Sequence, residues 1–128
     1  MISIPVSVGE LLDKLSILRI KTIKIQNPEK LEKVTHEYEL LHELSQNYLG
    51  VKEYFNLYDD LIATNSKLWE IEDKLRVLEK QKIFNEEFIE LARKVYYTND
   101  ERFEIKNKIN LLLDSEIQEQ KSYEDYKN

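Results

Sequence analysis

The sequence contains no cysteine, and only two glycines and two prolines among its 128 residues. The absence of cysteine excludes disulfide bonds, thiolate chemistry and cysteine-ligated zinc, and it makes a cytoplasmic location the expectation. The scarcity of glycine and proline argues against a turn-rich β protein, because these residues mark turns and breaks. The composition therefore predicts an all-α protein with long uninterrupted helices.

Long apolar runs and clusters of basic residues are also absent. No stretch approaches the ~20 apolar residues that a membrane-spanning helix needs, and the N-terminus lacks the basic segment that begins a signal peptide. The formal net charge of −6 disfavours contact with a nucleic-acid backbone. We therefore expect neither a nucleic-acid partner nor a membrane partner.

The first half of the chain predicts two helices. Ser7 and Glu10 have the spacing of a capping box, which starts helix 1 at about Val8. The pair Asn27-Pro28 ends helix 1 and starts helix 2, because proline is favoured at the first helical position. Gly50 is the expected end of helix 2.

The second half predicts two longer helices. Helix 3 is expected from about Val51 to Lys80, and Asn85 caps a helix 4 that continues to Ile117 without a break near Asn99. Short connections make successive helices antiparallel. The expected fold is a single domain, 1–128, an antiparallel helical bundle of about four helices with a long helix 3/helix 4 hairpin, an extended arm at 1–7 and a polar tail at 118–128.

The unequal lengths of the helices predict a partner. Helices 1 and 2 are about a third shorter than helices 3 and 4, so part of the long hairpin stays uncovered, including Phe55, Tyr58 and Trp69. A second copy of the chain would cover this surface, which predicts a homodimer. Folding back of the tail is the alternative.

Polar side chains occur where the helical periodicity predicts burial. Charged groups are rarely buried unless they are paired, because desolvation costs several kcal/mol per ion. The residues concerned are Lys14 and Lys21 on helix 1, Asn65, Glu72 and Arg76 on helix 3, and Asn99, Arg102, Lys106 and Asn110 on helix 4.

Two interpretations of this polar set stay open. In the first, Glu72 pairs with Arg102 or Lys106 in a network that fixes the helix register. In the second, the excess of cations forms a pocket for a small anionic ligand.

Other chemistry has weaker support. Glu39 and His42 have the Glu-x-x-His spacing of di-iron bundles, but such a site needs a second copy of the motif, which the sequence lacks. No glycine-rich phosphate loop and no activated nucleophile is present. We therefore expect no metal site and no cofactor.

Several blocks of the sequence together resemble a known family. They are Pro5-Val6-Ser7-Val8-Gly9-Glu10-Leu11-Leu12-Asp13-Lys14-Leu15 near the N-terminus, Leu68-Trp69-Glu70-Ile71-Glu72-Asp73, Asn99-Asp100-Glu101-Arg102 with Ile105-Lys106 and Ile109-Asn110, and Lys121-Ser122-Tyr123. The chain resembles an uncharacterised family of bacterial and phage proteins, a domain of unknown function sometimes joined to tetratricopeptide or glycosyltransferase-type proteins. The resemblance implies a complete domain and no established activity.

Two functional hypotheses follow. The first is a dimeric interaction module whose helix 3/helix 4 surface or acidic tail binds a protein partner, with a link to surface-glycan synthesis. The second is an enzyme or sensor for a small anionic metabolite. In the second, Glu72 is the candidate acid/base, and the ligand is held by Lys14, Arg76, Asn99, Arg102, Lys106 and Asn110.

Overall fold

The computed structural model describes residues 1–48, 52–113, 120–122 and 124–126. Within them the chain forms four helices, and a 3₁₀ turn at Gln46–Tyr48 follows the second. The helices are α1 Val8–Lys24, α2 Pro28–Ser45, α3 Lys52–Lys80 and α4 Glu86–Leu112. The all-α fold class and the long α3/α4 hairpin are confirmed.

Side-chain caps start three of the helices where the sequence predicts them. The Ser7 hydroxyl accepts a hydrogen bond from the Glu10 amide at 3.0 Å. The side chains of Asn27 and Asn85 accept from the third residue of α2 and α4, each at 3.1 Å. Each cap provides a hydrogen-bond acceptor for a backbone amide that has no acceptor within the helix. The predicted continuity of α4 at Asn99 is confirmed. Two helices end earlier than predicted, α2 at Ser45 and α4 at Leu112. The predicted boundary residues Gly50, Val51, Ile117 and Gln118 themselves lie outside the described residues.

The turn between α3 and α4 forms without glycine. Lys82 has a φ of 58°, in the left-handed region. The Ile83 amide donates to the Leu78 carbonyl at 2.9 Å, and the Lys82 amide donates to the Glu79 carbonyl at 3.0 Å. These two bonds define a Schellman motif, which pairs the last carbonyls of a helix. They end α3 and reverse the chain into α4.

Helix α1 lies at the centre of the molecule. It packs against each of the other three helices, while α3 and α4 pack against each other. The apolar core joins Leu12 and Leu15 of α1 to Leu61 of α3 and Ile109 of α4, all at most 1% exposed. Because α1 has three neighbours, its buried surface is wider than the single apolar stripe of an ordinary surface helix.

The α3/α4 hairpin extends past the end of α1. The last residue of α1, Lys24, places its Nζ 2.7 Å from Oε1 of Glu70, ten residues before α3 ends. We call residues 71–97 the hairpin tip. Apolar side chains stay uncovered there: Val77, Ile83, Phe84 and Ile89 are 38–56% exposed. Two of the residues that the sequence predicted to be uncovered, Tyr58 and Trp69, are instead half-buried. Near the other end of α3, Phe55 is also exposed, at 50%.

The hydroxyl of Tyr58 is buried, and no group in the described part of the chain forms a hydrogen bond with it. Burial, and then the neighbouring Tyr38 and Tyr54, raise its pKa above the usual value of 10. As the pH rises, Tyr58 therefore ionises at a lower pH in the unfolded chain than in the folded protein. The contribution of this group to stability is complete below pH ~10 and is lost as the pH rises towards the folded-state pKa.

We expect Tyr58→Phe to leave the free energy of unfolding at pH 7 unchanged or to raise it by about 1 kcal/mol, because it removes an unpaired polar group. At pH ~11 the advantage of the variant should be larger, because phenylalanine cannot ionise. Urea unfolding at the two pH values measures both effects, with Tyr96→Phe as the exposed control, since Tyr96 is 46% exposed. A loss of stability at pH 7 would show that the hydroxyl has a stabilising role.

Candidate functional site

A buried carboxylate at the centre of α1 organises the polar interior. Asp13 is 1% exposed and forms a two-bond ion pair with Arg102 of α4. Arg102 Nε donates to Asp13 Oδ1 at 2.7 Å, and its terminal Nη2 donates to Oδ2. The planar guanidinium matches the two carboxylate oxygens, which is the strongest geometry for such a pair. The pair connects α1 to α4.

Helix α3 joins the same network through an amide. Asn65 is 4% exposed, and its Nδ2 donates to Asp13 Oδ1 at 3.0 Å and to Ser16 Oγ at 2.8 Å. The Ser16 hydroxyl in turn donates to the Asp13 carbonyl at 2.6 Å. The Asp13 carboxylate therefore joins α1, α3 and α4. Because each of these hydrogen bonds needs its partners in place, the network fixes the register of the three helices.

A second ion pair lies about one helical turn away. Lys106 Nζ is 2.8 Å from Glu10 Oε2, and the lysine side chain is 7% exposed whereas that of Glu10 is 44% exposed. The capping box predicted at Ser7 and Glu10 is thus only half formed by local contacts. The serine caps the helix, while the glutamate carboxylate contacts α4.

The start of α1 lies directly against α4. The Gly9 amide donates to Asn110 Oδ1 at 2.7 Å. A Cβ atom at Gly9 would lie 2.5 Å from the Lys106 carbonyl oxygen and 2.9 Å from Asn110 Oδ1. Real Cβ atoms do not approach backbone oxygens so closely. Only glycine permits this approach of the two helices.

A polar pocket of 210 Å³ opens beside the two ion pairs. Among the described residues, three cations and one acid line it. The lining residues are Glu10, Asn99, Arg102, Phe103, Lys106 and Lys121. Lys121 comes from the C-terminal segment and lies over the Phe103 ring, with Nζ 5.4 Å from the ring centre.

A larger groove of 680 Å³ adjoins the pocket and shares Asn99, Phe103 and Lys121 with it. It lies between α4 and the described C-terminal residues, which run back along α4. The Tyr126 hydroxyl is the donor to two acceptors that share its single proton, the Asp100 carboxylate and the Tyr96 carbonyl at 3.2 Å. The Tyr126 ring packs edge-on against both Tyr96 and Tyr97. The tail therefore covers the outer side of α4 and reaches only the last two residues of the hairpin tip, Tyr96 and Tyr97.

The structure brings together only part of the predicted site. Asn99, Arg102 and Lys106 line the pocket, and Asn110 lies beside it through its bond to Gly9. Lys14 is exposed and pairs with Glu37 at 3.3 Å.

The two α3 candidates lie elsewhere. Glu72 and Arg76 are exposed, since they follow Asn65 by seven and eleven residues and continue its face past the end of α1. The acids that meet Arg102 and Lys106 are Asp13 and Glu10, not the predicted Glu72.

The sequence contained a signal for the burial of Asp13. Gly9, Asp13, Ser16 and Ile20 recur at spacings of four, three and four, and all four are buried. They form a second stripe on α1, which only a helix with several neighbours would bury. In the described part of the chain, acids and histidines form no group that could hold a metal ion, and none of the described helices has the length and apolarity of a membrane span.

One comparison identifies the chain's relatives. The model of a family of unknown function, DUF6165, matches residues 2–127. The chain belongs to this family. The DUF6165 match spans all four helices, which confirms the resemblance to an uncharacterised family. No curated protein and no solved structure matches the chain.

Proposed function

We propose that the protein is a homodimeric interaction module in which two hairpin tips pack against each other. The observation that supports this is the apolar face of the tip. Val95 and Phe88 precede Arg102 by seven and fourteen residues, so they continue the face of α4 that α1 covers at Arg102. Past Glu70 that face has no α1 beside it. Leu75 and Leu78 of α3 adjoin it and, like Val95 and Phe88, are only partly buried.

The charge of the tip favours a second copy as the occupant. Residues 71–97 contain six acidic and six basic side chains, so their net charge is zero although that of the whole chain is −6. An isologous interface places the same surface on both sides, so a charged tip would repel itself. A neutral tip with alternating signs can pair with its own copy.

The size of the apolar surface also suits a dimer. Val77, Ile83, Phe84 and Ile89 are 38–56% exposed. With the half-buried residues they form one apolar surface, and apolar atoms supply somewhat more than half of the ~800 Å² that each partner buries in a standard interface. Pairing of two hairpins would give a four-helix bundle. The link to surface-glycan synthesis stays a prediction from the resemblance.

The dimer is tested by light scattering after size exclusion at ~10–200 µM protein. We expect a dimer, and we expect Phe84→Lys and Ile89→Lys each to weaken it about 100-fold, because each places a charge in an apolar interface. Leu111→Lys is the matched control, since Leu111 is 65% exposed on the same helix outside the tip. A monomer at 200 µM, or a dimer that tolerates both tip variants, would refute the proposal.

A further inference from the structure

A strip of partly exposed side chains continues from the hairpin tip along the outer side of α4. Ile89, Tyr96 and Phe103 follow one another at intervals of seven residues, so they share one face of the helix. Ile89 is 51% exposed and Tyr96 is 46% exposed, and Phe103 is half-buried. We call these three residues the outer strip. It connects the surface of the proposed dimer, at Ile89, to the groove beside the tail, at Phe103.

The tail covers two of the three positions of the outer strip. The Tyr126 ring packs edge-on against Tyr96, with 5.2 Å between the ring centres. Lys121 Nζ lies 5.4 Å from the centre of the Phe103 ring. The third position, Ile89, belongs to the hairpin tip. The tail therefore occupies the part of the strip that directly follows the proposed interface with a second copy.

The tail lies on α4 without close packing. A groove of 680 Å³ lies between them, whereas a packed protein interior has few voids larger than a water molecule. Glu124 and Asp125 of the tail line this groove together with Asp100 and Glu104 of α4. Like charges on the two sides oppose the contact. A segment with so little buried apolar contact detaches at a low cost in free energy.

Tyr126 provides contacts that oppose this repulsion. Its hydroxyl is the donor to the Asp100 carboxylate and to the Tyr96 carbonyl. Its ring also packs against Tyr97, with 5.0 Å between the ring centres. Removing this one side chain removes the ring contacts and the donor, and it leaves the acidic side chains of the tail and of α4 facing each other. Tyr126 is therefore an anchor of the tail.

We infer that the tail is a releasable strap that limits the dimer interface. While Tyr126 is docked, the strap covers Tyr96 and Phe103, and a second copy can contact only the tip. Once the strap is released, the second copy can extend along the whole outer strip and bury two more aromatic side chains. This inference rests on the proposed dimer and adds its regulation: the tail and the second copy compete for one face of α4.

Tyr126→Ala tests the strap through the affinity of the dimer. Tyr126 is 36% exposed in the tail, so the variant should fold normally, with an unchanged circular dichroism spectrum. It should lower the dissociation constant of the dimer about tenfold, because the interface gains Tyr96 and Phe103 without displacing the strap. Analytical ultracentrifugation measures this constant.

Ser122→Ala is the matched control, because Ser122 is an exposed tail residue that does not line the groove. It should leave the dissociation constant within about twofold of that of the unmodified chain. A dissociation constant for Tyr126→Ala that is unchanged or higher would overturn the inference.

Nuclear magnetic resonance separates a failed strap from a failed dimer. In the Phe84→Lys variant, whose dimer is weakened, we expect nuclear Overhauser contacts between the ring protons of Tyr126 and Tyr96. Their absence would overturn the strap, whatever the dimer does. If these contacts are present but neither the unmodified chain nor Tyr126→Ala forms a dimer, the proposed function fails and the regulatory role of the strap fails with it. A dimer formed by Tyr126→Ala alone would support the strap and contradict a dimer of the unmodified chain.

Discussion

Arg102→Met is expected to lower the free energy of unfolding by about 4 kcal/mol, because it leaves the Asp13 carboxylate buried without its counter-ion. Asp13 is 1% exposed and cannot reach water, whereas 26% of the Arg102 side chain is exposed. Asp13→Ala should therefore cost less, about 2–3 kcal/mol, since the remaining guanidinium can turn towards solvent. Urea unfolding followed by circular dichroism measures both values.

A double-mutant cycle separates this pair from general packing effects. In Asp13→Ala/Arg102→Met both charges are gone, so the loss should be smaller than the sum of the single losses by about 2 kcal/mol or more. Arg93→Met is the matched control, because Arg93 lies on the same helix, is 50% exposed, and forms an ion pair at 3.4 Å with Glu90, which is also exposed. Its expected loss is below about 0.5 kcal/mol. A loss below about 1 kcal/mol for Arg102→Met would contradict a stabilising network.

Gly9→Ala is expected to destabilise the protein by about 1–3 kcal/mol, although alanine in a helix is usually more stable than glycine by about 1 kcal/mol. The added methyl group would lie 2.5 Å from the Lys106 carbonyl oxygen, which is backbone and cannot rotate away. The start of α1 would have to move off α4. This motion would also stretch the 2.7 Å bond from the Gly9 amide to Asn110.

Asn110→Ala is the control for Gly9→Ala. It removes the hydrogen bond to the Gly9 amide but leaves the Lys106 backbone in place, and it should cost about 1–3 kcal/mol, because a buried donor loses its partner. In the Asn110→Ala background, Gly9→Ala should still destabilise, since the clash with Lys106 remains. A rise in the melting temperature of Gly9→Ala would show that the two helices separate easily at this point.

The helix boundaries could be predicted because the interactions that set them are local. Ser7, Asn27 and Asn85 cap the amides three residues ahead of them, and proline at position 28 can only begin a helix. The unbroken α4 follows from a regular apolar face that stays in phase past Asn99. These features depend on residues within one or two turns of each other, so the order of residues along the chain is sufficient.

The polar interior could be predicted only in part. The helical projection placed Arg102, Lys106, Asn99 and Asn110 of α4 together, because residues three and four apart share a face on any helix. It did not supply their partners. Asp13 lies 89 residues from Arg102, and Glu10 lies 96 residues from Lys106. Such pairs depend on how α1 is rotated between its neighbours.

The sequence by itself determined an all-α protein, its helix starts, the excess length of α3 and α4, and the inward strip on α4. Only the tertiary structure decided which acids that strip meets. It showed that Gly9 permits contact between two backbones and that Glu72 and Arg76 are exposed past the end of α1. The reason is physical: periodicity fixes which side chains share a face of one helix, whereas burial and pairing depend on which other helix covers that face and where it ends.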